Sequence, residues 1–469
     1  MSEYLTAKEV AEKWKVSTVW VTSLCANGRV KGAKKEGKRW LIPDTATKPE
    51  DNRIKNQMYN FKYVDLFAGI GGFHQAMRYL GGKCVMACEI NQACVDTYLA
   101  NYHLAKKRMK GDIRAINPEE IEPFEVLCAG FPCQPFSKAG LQKGFDDEER
   151  GNLFYQILNI LDYHKEVEFV ILENVRNLAD KTENWDIIRT ELLKRDFVIT
   201  KEPLILSPSD FGLPQIRERV YILGIKNSHC TETIKEKGYI EEADLNLSKY
   251  YKECQMGDAL TILEEKVPKD YYIEAEETLM LSAWEEFRLA TKIETIGYPI
   301  WIDYFGLGIE ETNDFYEHVQ YHEMPKWKQD YVDKNRQLYL KNRAFIDAWV
   351  EKYDMTNRIK LYKKFEWNCG VDIKNMREGI IQIRQSGIRV KRPTYFPSLV
   401  AIVNTPIIWD MQEQAYRHIT PREAANLQNF HRSFKLLGTD KQIYKQLGNS
   451  VNVRVIKILA DNLFKLRHS

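Results

Sequence analysis

Cys133 is set apart from the other eight cysteines by its neighbours. It stands in GFPCQPFS, residues 130–137, between Pro132 and Pro135. The preceding EVLCAG is an apolar run that reads as a buried strand. The thiol therefore falls just past a strand's carboxyl end, where open α/β sheets hold their ligands. Proline on each side restricts the backbone around it. Residues 138–151 are polar and punctuated by Gly140, Gly144 and Gly151, the composition of a loop that closes over a substrate. The thiolate is the nucleophilic form, and a free thiol has a pKa of about 8.5, so a cationic neighbour would help. Two later segments offer partners. VEFVILENV reads as a buried strand ending in Glu173 and Asn174. QIRERVYILG carries Gln215, Arg217 and Arg219 at every second position, which a strand puts on one face.

A second group of residues suits a cofactor. FKYVDLFAGIGGFHQAMRYLG reads as a strand (63–67), a glycine-rich turn and a helix (73–80), so a ligand can approach the backbone at the junction. About twenty residues on, CVMACEIN puts Glu89 at the end of a second strand, where an acid binds ribose hydroxyls. Gly111-Asp112-Ile113 is placed to close a third strand end. Together these point to an adenosine-containing cofactor. The turn is GxGG, without the second half of the dinucleotide fingerprint GxGxxG, which disfavours NAD. Asp65, just before the turn, would repel a pyrophosphate but could hold an ammonium group. S-adenosylmethionine has that ammonium and no phosphate.

The remainder of the chain must position these groups. At 469 residues, 44% hydrophobic and 29% charged, it is long enough for two to four domains with real cores. A net charge of +2 makes any nucleic-acid surface local. No apolar run approaches the length of a membrane span, and residues 1–10 are too polar for a signal peptide, so a cytoplasmic protein is expected. Nine cysteines without close-paired spacing argue for reduced thiols. Cys84, Cys88 and Cys94 fall in a strand running into a helix, with no CxxC pair, and no metal site is expected.

Residues 1–44 read as a unit of their own. LTAKEVAEKWKV has helical spacing, with Leu5, Val10, Ala11 and Trp14 on one face and Thr6 as N-cap. Ser17 caps a second helix that Gly28 ends. VKGAKKEGKRWLIP reads as a hairpin turning at Glu36-Gly37, with Lys31, Lys34, Lys35, Lys38 and Arg39 available to phosphates. Residues 45–60 are polar and Pro-broken, a linker. Residues 226–414 are rich in Trp, Tyr and Lys. A helix-like run over 325–349 offers Tyr331, Leu338, Phe345 and Trp349 for packing and Lys334, Arg336, Lys341 and Arg343 for phosphate. Arg384, Arg389, Lys391 and Arg392 cluster beside a Gly turn. Most of the individual aromatics in this stretch are expected in the core. Residues 420–466 return to helix-strand-helix character.

DLFAGIGGF, GFPCQPFS, ENV, QIRERVYILG, TPREAANLQNF and QLGNSV, in that order, resemble the motifs of the DNA cytosine-C5 methyltransferases, as found in bacterial restriction–modification systems. The resemblance covers about residues 60–225 and 415–460. Residues 1–44 separately resemble the excisionase/MerR-type helix-turn-helix with a wing. The fold implied is α/β: a Rossmann-like S-adenosylmethionine-dependent methyltransferase domain in two parts (61–225 and 415–469), a target-recognition domain over 226–414, and an N-terminal winged helix-turn-helix. The resemblance implies Cys133 as nucleophile, Glu173 at cytosine N3, Arg219 at O2, and Arg217 holding a phosphate or positioning the loop. Arg150 would grip a phosphate when the loop shuts. The cofactor would be framed by Asp65, Phe67, Gly69, Gly71, Gly72 and Pro132, with Glu89 at the ribose, Asp112 at the adenine amine and Asn449 returning from the far end. The implied partner is double-stranded DNA, with a cognate restriction endonuclease as functional counterpart and a monomeric enzyme. Two other readings stay open: an RNA (tRNA) cytosine-C5 methyltransferase, and an autoregulatory repressor acting through the N-terminal module.

Overall fold

The computed structural model describes residues 4–14, 16, 18–26, 30, 32–37, 39–46, 60–132, 153–180, 182–293, 298–399 and 405–468. The chain divides into two units, 1–58 and 59–469.

In the first unit, β1 (Tyr4–Thr6) leads into α1 (Ala7–Trp14) and α2 (Thr18–Ala26), and β2 (Lys34–Glu36) pairs with β3 (Arg39–Pro43). β3 also pairs with β1, giving the order β1-β3-β2. The first helix starts at Ala7, as a Thr6 N-cap implies, while Leu5, expected on the helix face, belongs to β1. Thr6 still serves the helix end: Glu9 accepts from its N–H at 2.7 Å and from its hydroxyl at 2.8 Å. Ala7, Val10, Ala11 and Trp14 bury one helix face against Val21, Leu24 and Ile42. Lys34, Lys35 and Glu36 are exposed. Ser17, Gly28, Lys31, Lys38 and residues 47–59 of the expected linker lie outside the described residues.

The second unit begins as a doubly wound sheet. Its elements are β4 (Phe61–Leu66), α3 (Gly72–Tyr79), β5 (Gly82–Cys88), α4 (Gln92–Asn101), β6 (Met109–Lys110), β7 (Val126–Gly130), α5 (Leu153–Tyr163), β8 (Phe169–Val175), α6 (Thr182–Lys194), β9 (Phe197–Ile199), β10 (Leu204–Leu206) and β11 (Arg219–Lys226). The strand order is β6-β5-β4-β7-β8-β11-β10, with β9 also on β11. β4 to β8 are parallel in their pairings, and β11 runs antiparallel to β8. The central strands are apolar on both sides, as helices on both faces demand. Val64, Leu66, Leu127, Val170 and Leu172 face the α5–α6 layer, while Tyr63, Cys128, Ile171 and Tyr221 face the opposite one. The order reverses between β4 and β7, so a crevice opens at their carboxyl ends.

After β11 comes α7 (Glu232–Lys237). Ile234, Ile240, Leu247 and Ile262 join the first sheet's core, so this part of the 226–414 stretch packs with the first lobe and lies outside the core of the second. A second lobe follows: α8 (Ala275–Ala290), β12 (Ile300–Trp301), α9 (Thr312–His318), α10 (Lys326–Lys341), α11 (Arg343–Lys352), β13 (Lys364–Asn368), β14 (Ile380–Arg384), β15 (Gly387–Lys391), β16 (Ile407–Asp410) and β17 (Ala415–His418). Its six-stranded sheet has the order β12-β13-β15-β14-β16-β17 and packs one face on Trp284, Trp349 and Phe287. The single helix expected over 325–349 breaks at Asn342, whose amide donates to Leu338 O at 3.0 Å. Two cations expected to be free there are not. Arg336 is buried and donates to the carbonyls of Phe305 and Gly306 at 2.7 and 2.9 Å, and Arg343 grips Glu310.

The chain closes with α12 (Pro421–Leu427), α13 (Asp440–Asn449) and α14 (Val453–Phe464). Val453, Ile456 and Leu459 enter the core beside Phe73 and Ala76 of α3. The Thr420 hydroxyl accepts from Glu423 N and the Glu423 carboxylate from Thr420 N, a box that starts α12.

Candidate active site

Glu173 lies in the buried run of β8, one residue before its end at Asn174, and is 8% exposed. β11 returns antiparallel beside it, level with Tyr221, and delivers Arg219 from its first position. The Arg219 Nε lies 3.3 Å from Glu173 Oε1. Burial raises the Glu173 pKa above the ordinary carboxylate value, and the charges of Arg219 and Arg217 oppose that rise. On its other side β8 pairs with β7, placing Gly130 level with Glu173. Phe131 and Pro132 follow, the first buried and the second exposed. Cys133, the expected nucleophile, and the whole stretch 133–152, with Arg150, lie outside the described residues.

Asn174 was noted in the sequence only as Glu173's neighbour, yet it ties these strands together. It is 2% exposed, its Nδ2 donates to Phe131 O at 3.0 Å, and its Oδ1 accepts from Val175 N at 2.8 Å. The signal available in sequence was its place in ENV. Arg217 departs from expectation. β11 begins only at Arg219, so the expected period-two face starts there. The Arg217 guanidinium is 3% exposed, donates to Ser450 O at 2.9 Å, and lies 3.4 Å from Leu399 O and from the Ser398 hydroxyl. A side chain so enclosed is not free to grip a phosphate. Burial, with Arg219 nearby, pushes its pKa down to about 10. Gln215 is buried too, and neither end of its side-chain amide has a partner.

At the end of β4, Asp65 is sealed from solvent and, among the described residues, neither carboxylate oxygen has a hydrogen-bond partner. Burial, then the charge of Glu89, hold its pKa well above the usual range; the backbone N–H of His74 opposes this from outside hydrogen-bonding geometry. Phe67 takes a positive φ of 57°, a strained state for an aromatic residue. The glycines of the turn differ in role. A Cβ on Gly69 would meet nothing within 4 Å, whereas one on Gly71 would lie 2.2 Å from Tyr102 Cε2 and one on Gly72 2.7 Å from Val451 Cγ2. Only Gly69 keeps space for a ligand; Gly71 and Gly72 admit the protein's own packing. Glu89 spans the junction, accepting from Gly69 N and from Asn91 N, both at 2.8 Å. Ile90, which sequence reasoning passed over, is 72% exposed beside it, an apolar side chain in the open. Asp112 caps the turn after β6 through Arg114 N at 2.9 Å and is clasped by the Arg114 guanidinium, which lowers its pKa. Asn449 is exposed at the end of α13, next to the Ser450–Val451 segment that packs on Gly72.

The arrangement sets a buried acid–guanidinium pair and an unpartnered acid under a glycine turn at the carboxyl ends of the parallel strands. Residues 61–465 match the model of the C-5 cytosine-specific DNA methylases. The chain belongs to that family. It is a cytosine-C5 DNA methyltransferase. The enzyme is similar to the Type II methyltransferase M.AluI of Cellulosimicrobium cellulans, 30% identical over 85% of this chain and 90% of the relative. It is also similar to the Type II methyltransferase M.HpaII of Haemophilus parainfluenzae, 32% identical over 87% of this chain and 90% of the relative. Among solved structures, the Dnmt2 methyltransferase of S. pombe shares the fold, with a TM-score of 0.50 at 17% identity over 86% of this chain and 98% of that one. Among the described residues, no helix of the methyltransferase is long and apolar enough to cross a membrane.

Proposed function

We propose that the methyltransferase works through a covalent adduct between Cys133 and C6 of a cytosine turned out of a duplex. The observation that carries this reading is the Glu173–Arg219 pair, level with Gly130 on the strand that leads to Cys133. Cytosine C5 is a weak nucleophile. Addition of a thiolate at C6 makes the ring an enamine and C5 nucleophilic. Negative charge then builds on N3 and O2. Glu173, whose pKa burial raises, gives a proton to N3 from its protonated form, and Arg219 donates to O2. After methylation a base, a water molecule or a side chain, takes the C5 proton, the Cys133–C6 bond breaks with release of the thiolate, and N3 returns its proton to Glu173. The target base is buried in a duplex stack, so extrusion costs roughly a few kcal/mol.

The cofactor we infer is S-adenosylmethionine, which supplies an electrophilic sulfonium methyl when bound. The residues present fit it. The unpartnered Asp65 carboxylate favours a cation and the open side of Gly69 admits a ligand. Glu89 keeps acceptor capacity for ribose hydroxyls, Asp112 would accept the adenine amine on partial release of Arg114, and Phe67 and Ile90 offer apolar cover. Pro132 and Asn449 complete this assignment from the edges of the site. Arg217 acts by positioning, joining the approach to β11 to the closing segment at Ser450.

By its relatives, we infer that the enzyme is the protecting methylase of a restriction–modification system. The second lobe reads the target, and the module of residues 1–44 contacts phosphate through its exposed Lys34–Lys35 hairpin. Methyl incorporation into duplex DNA and into tRNA tests this. Wild-type enzyme should label the duplex, Cys133→Ser should abolish labelling, and Glu173→Gln should lower it by about 10²–10⁴-fold. Substantial turnover by Cys133→Ser, or labelling of tRNA alone, would overturn the reading.

A further inference from the structure

The sheet of the second lobe has two unlike faces. Phe365, Trp367, Ile381, Ile388 and Val390 enter the lobe's aromatic core. The alternate positions share the opposite face: Glu366 is level with Arg389 and Arg389 with Gln382 across β13, β15 and β14. On β13, β14 and β15 that face carries four cations, Lys364, Arg384, Arg389 and Lys391, and one acid; Asp410 and Arg417 share it on β16 and β17 and pair with each other. Glu366 meets three of them, with Lys364 at 3.3 Å, Arg384 at 3.1 Å and Arg389 at 2.5 Å. Among the described residues no carboxylate pairs with Lys391. Arg384 Nε is buried and has no hydrogen-bond partner among the described residues. Burial lowers the pKa of both Arg384 and Lys391, and neighbouring cations add to it. One carboxylate among four half-buried cations leaves these three strands short of negative charge.

The face has definite ends. Trp301 is level with Lys364, whose ammonium lies 4.4 Å from the indole centroid. At the other end Ile380, level with Lys391, packs in the core of the catalytic lobe. The cations therefore run from that lobe outward. Arg392, close in sequence, is not part of the set: it is held by Asp372 and by Cys369 O.

We propose that this face is a track for the phosphate backbone of the duplex, with Glu366 as the internal counter-ion that keeps Lys364, Arg384 and Arg389 aligned until phosphates take their charge. The proposal rests on the DNA methyltransferase reading and adds where the duplex lies. Arg389 is the most open of the three bound cations, its side chain 29% exposed, and makes the first contact.

The test is binding of a fluorescent duplex of about thirty base pairs at several salt concentrations, with melting temperature and S-adenosylmethionine affinity measured alongside. Arg389→Gln and Lys391→Gln should each weaken binding by about 3–10-fold at 0.1 M salt and lower the slope of log K against log salt by about one. Lys235→Gln, an exposed cation on α7, should leave the slope alone. Glu366→Gln should tighten binding to non-cognate duplex about threefold and steepen the slope; a merely structural Glu366 would lower the melting temperature without steepening it. If Arg389→Gln does not fold, Lys391→Gln decides. Slopes equal to wild type in folded Arg389→Gln or Lys391→Gln enzyme overturn the track. If the wild type methylates duplex while those slopes hold, only the track falls; if the wild type neither binds nor methylates duplex, the function reading falls with it.

Discussion

Asp65 shows how one residue can cost stability and serve binding. Its carboxylate is sealed from water with both oxygens unpartnered, and its folded pKa is raised. An acid with a raised folded pKa favours the unfolded state once pH exceeds the unfolded value of about 3.9. The penalty grows as pH rises toward the folded pKa and then levels off. Asp65→Asn should therefore raise Tm at neutral pH, with the gain vanishing below about pH 4. The same change should weaken S-adenosylmethionine binding by about 10–100-fold, as loss of a charge-assisted contact does. Calorimetry against pH reads both. A variant more stable yet unchanged in affinity would leave Asp65 a mere defect of the core, and the ammonium would have to sit elsewhere.

At the scale of elements, the strands hold the site through ties that local pattern does not disclose. Asn174 links β8 to the carbonyl of Phe131, just before Cys133. Asn174→Asp keeps the shape but removes the donor. It should lower kcat about tenfold or more, because small misplacements of a nucleophile are expensive, with a smaller change in KM for duplex. An unchanged kcat would make the contact simple packing. Such long-range ties mark where sequence reading stops. The strand ends, the glycine turn and Glu173's place were legible because continuous apolar runs and turn residues are local signals. Arg217 was not: whether the segment before β11 faces a ligand or Ser450 depends on a chain end over two hundred residues away. Gly71 and Gly72 were read as room for a ligand, and they admit Tyr102 and Val451 instead. Glu366 was passed over because its partners lie on β14 and β15. The strand β1 was missed, since three residues carry no periodicity.

For the molecule as a whole, charge is distributed unevenly between the two units. Residues 1–60 hold twelve Lys and Arg against seven Asp and Glu, an excess of +5 in a chain whose net charge is +2. The remainder is thus slightly acidic, and its cations must be concentrated to meet DNA at all. The first unit has its own core of Val10, Trp14, Val21 and Ile42, while the motif residues of the site all lie beyond Lys62. Catalysis and this module are therefore expected to separate. Deleting residues 1–55 should preserve methyl transfer on short duplexes while weakening binding to long DNA or to an operator and flattening its salt dependence. The comparison is one of methyl incorporation on a short duplex against salt-dependent affinity for a long one. A truncated enzyme that folds but no longer transfers methyl groups would make the module part of the catalytic body. Unchanged long-DNA affinity and slope would make the Lys34–Lys35 hairpin a solvated face, with the module left to dock a protein.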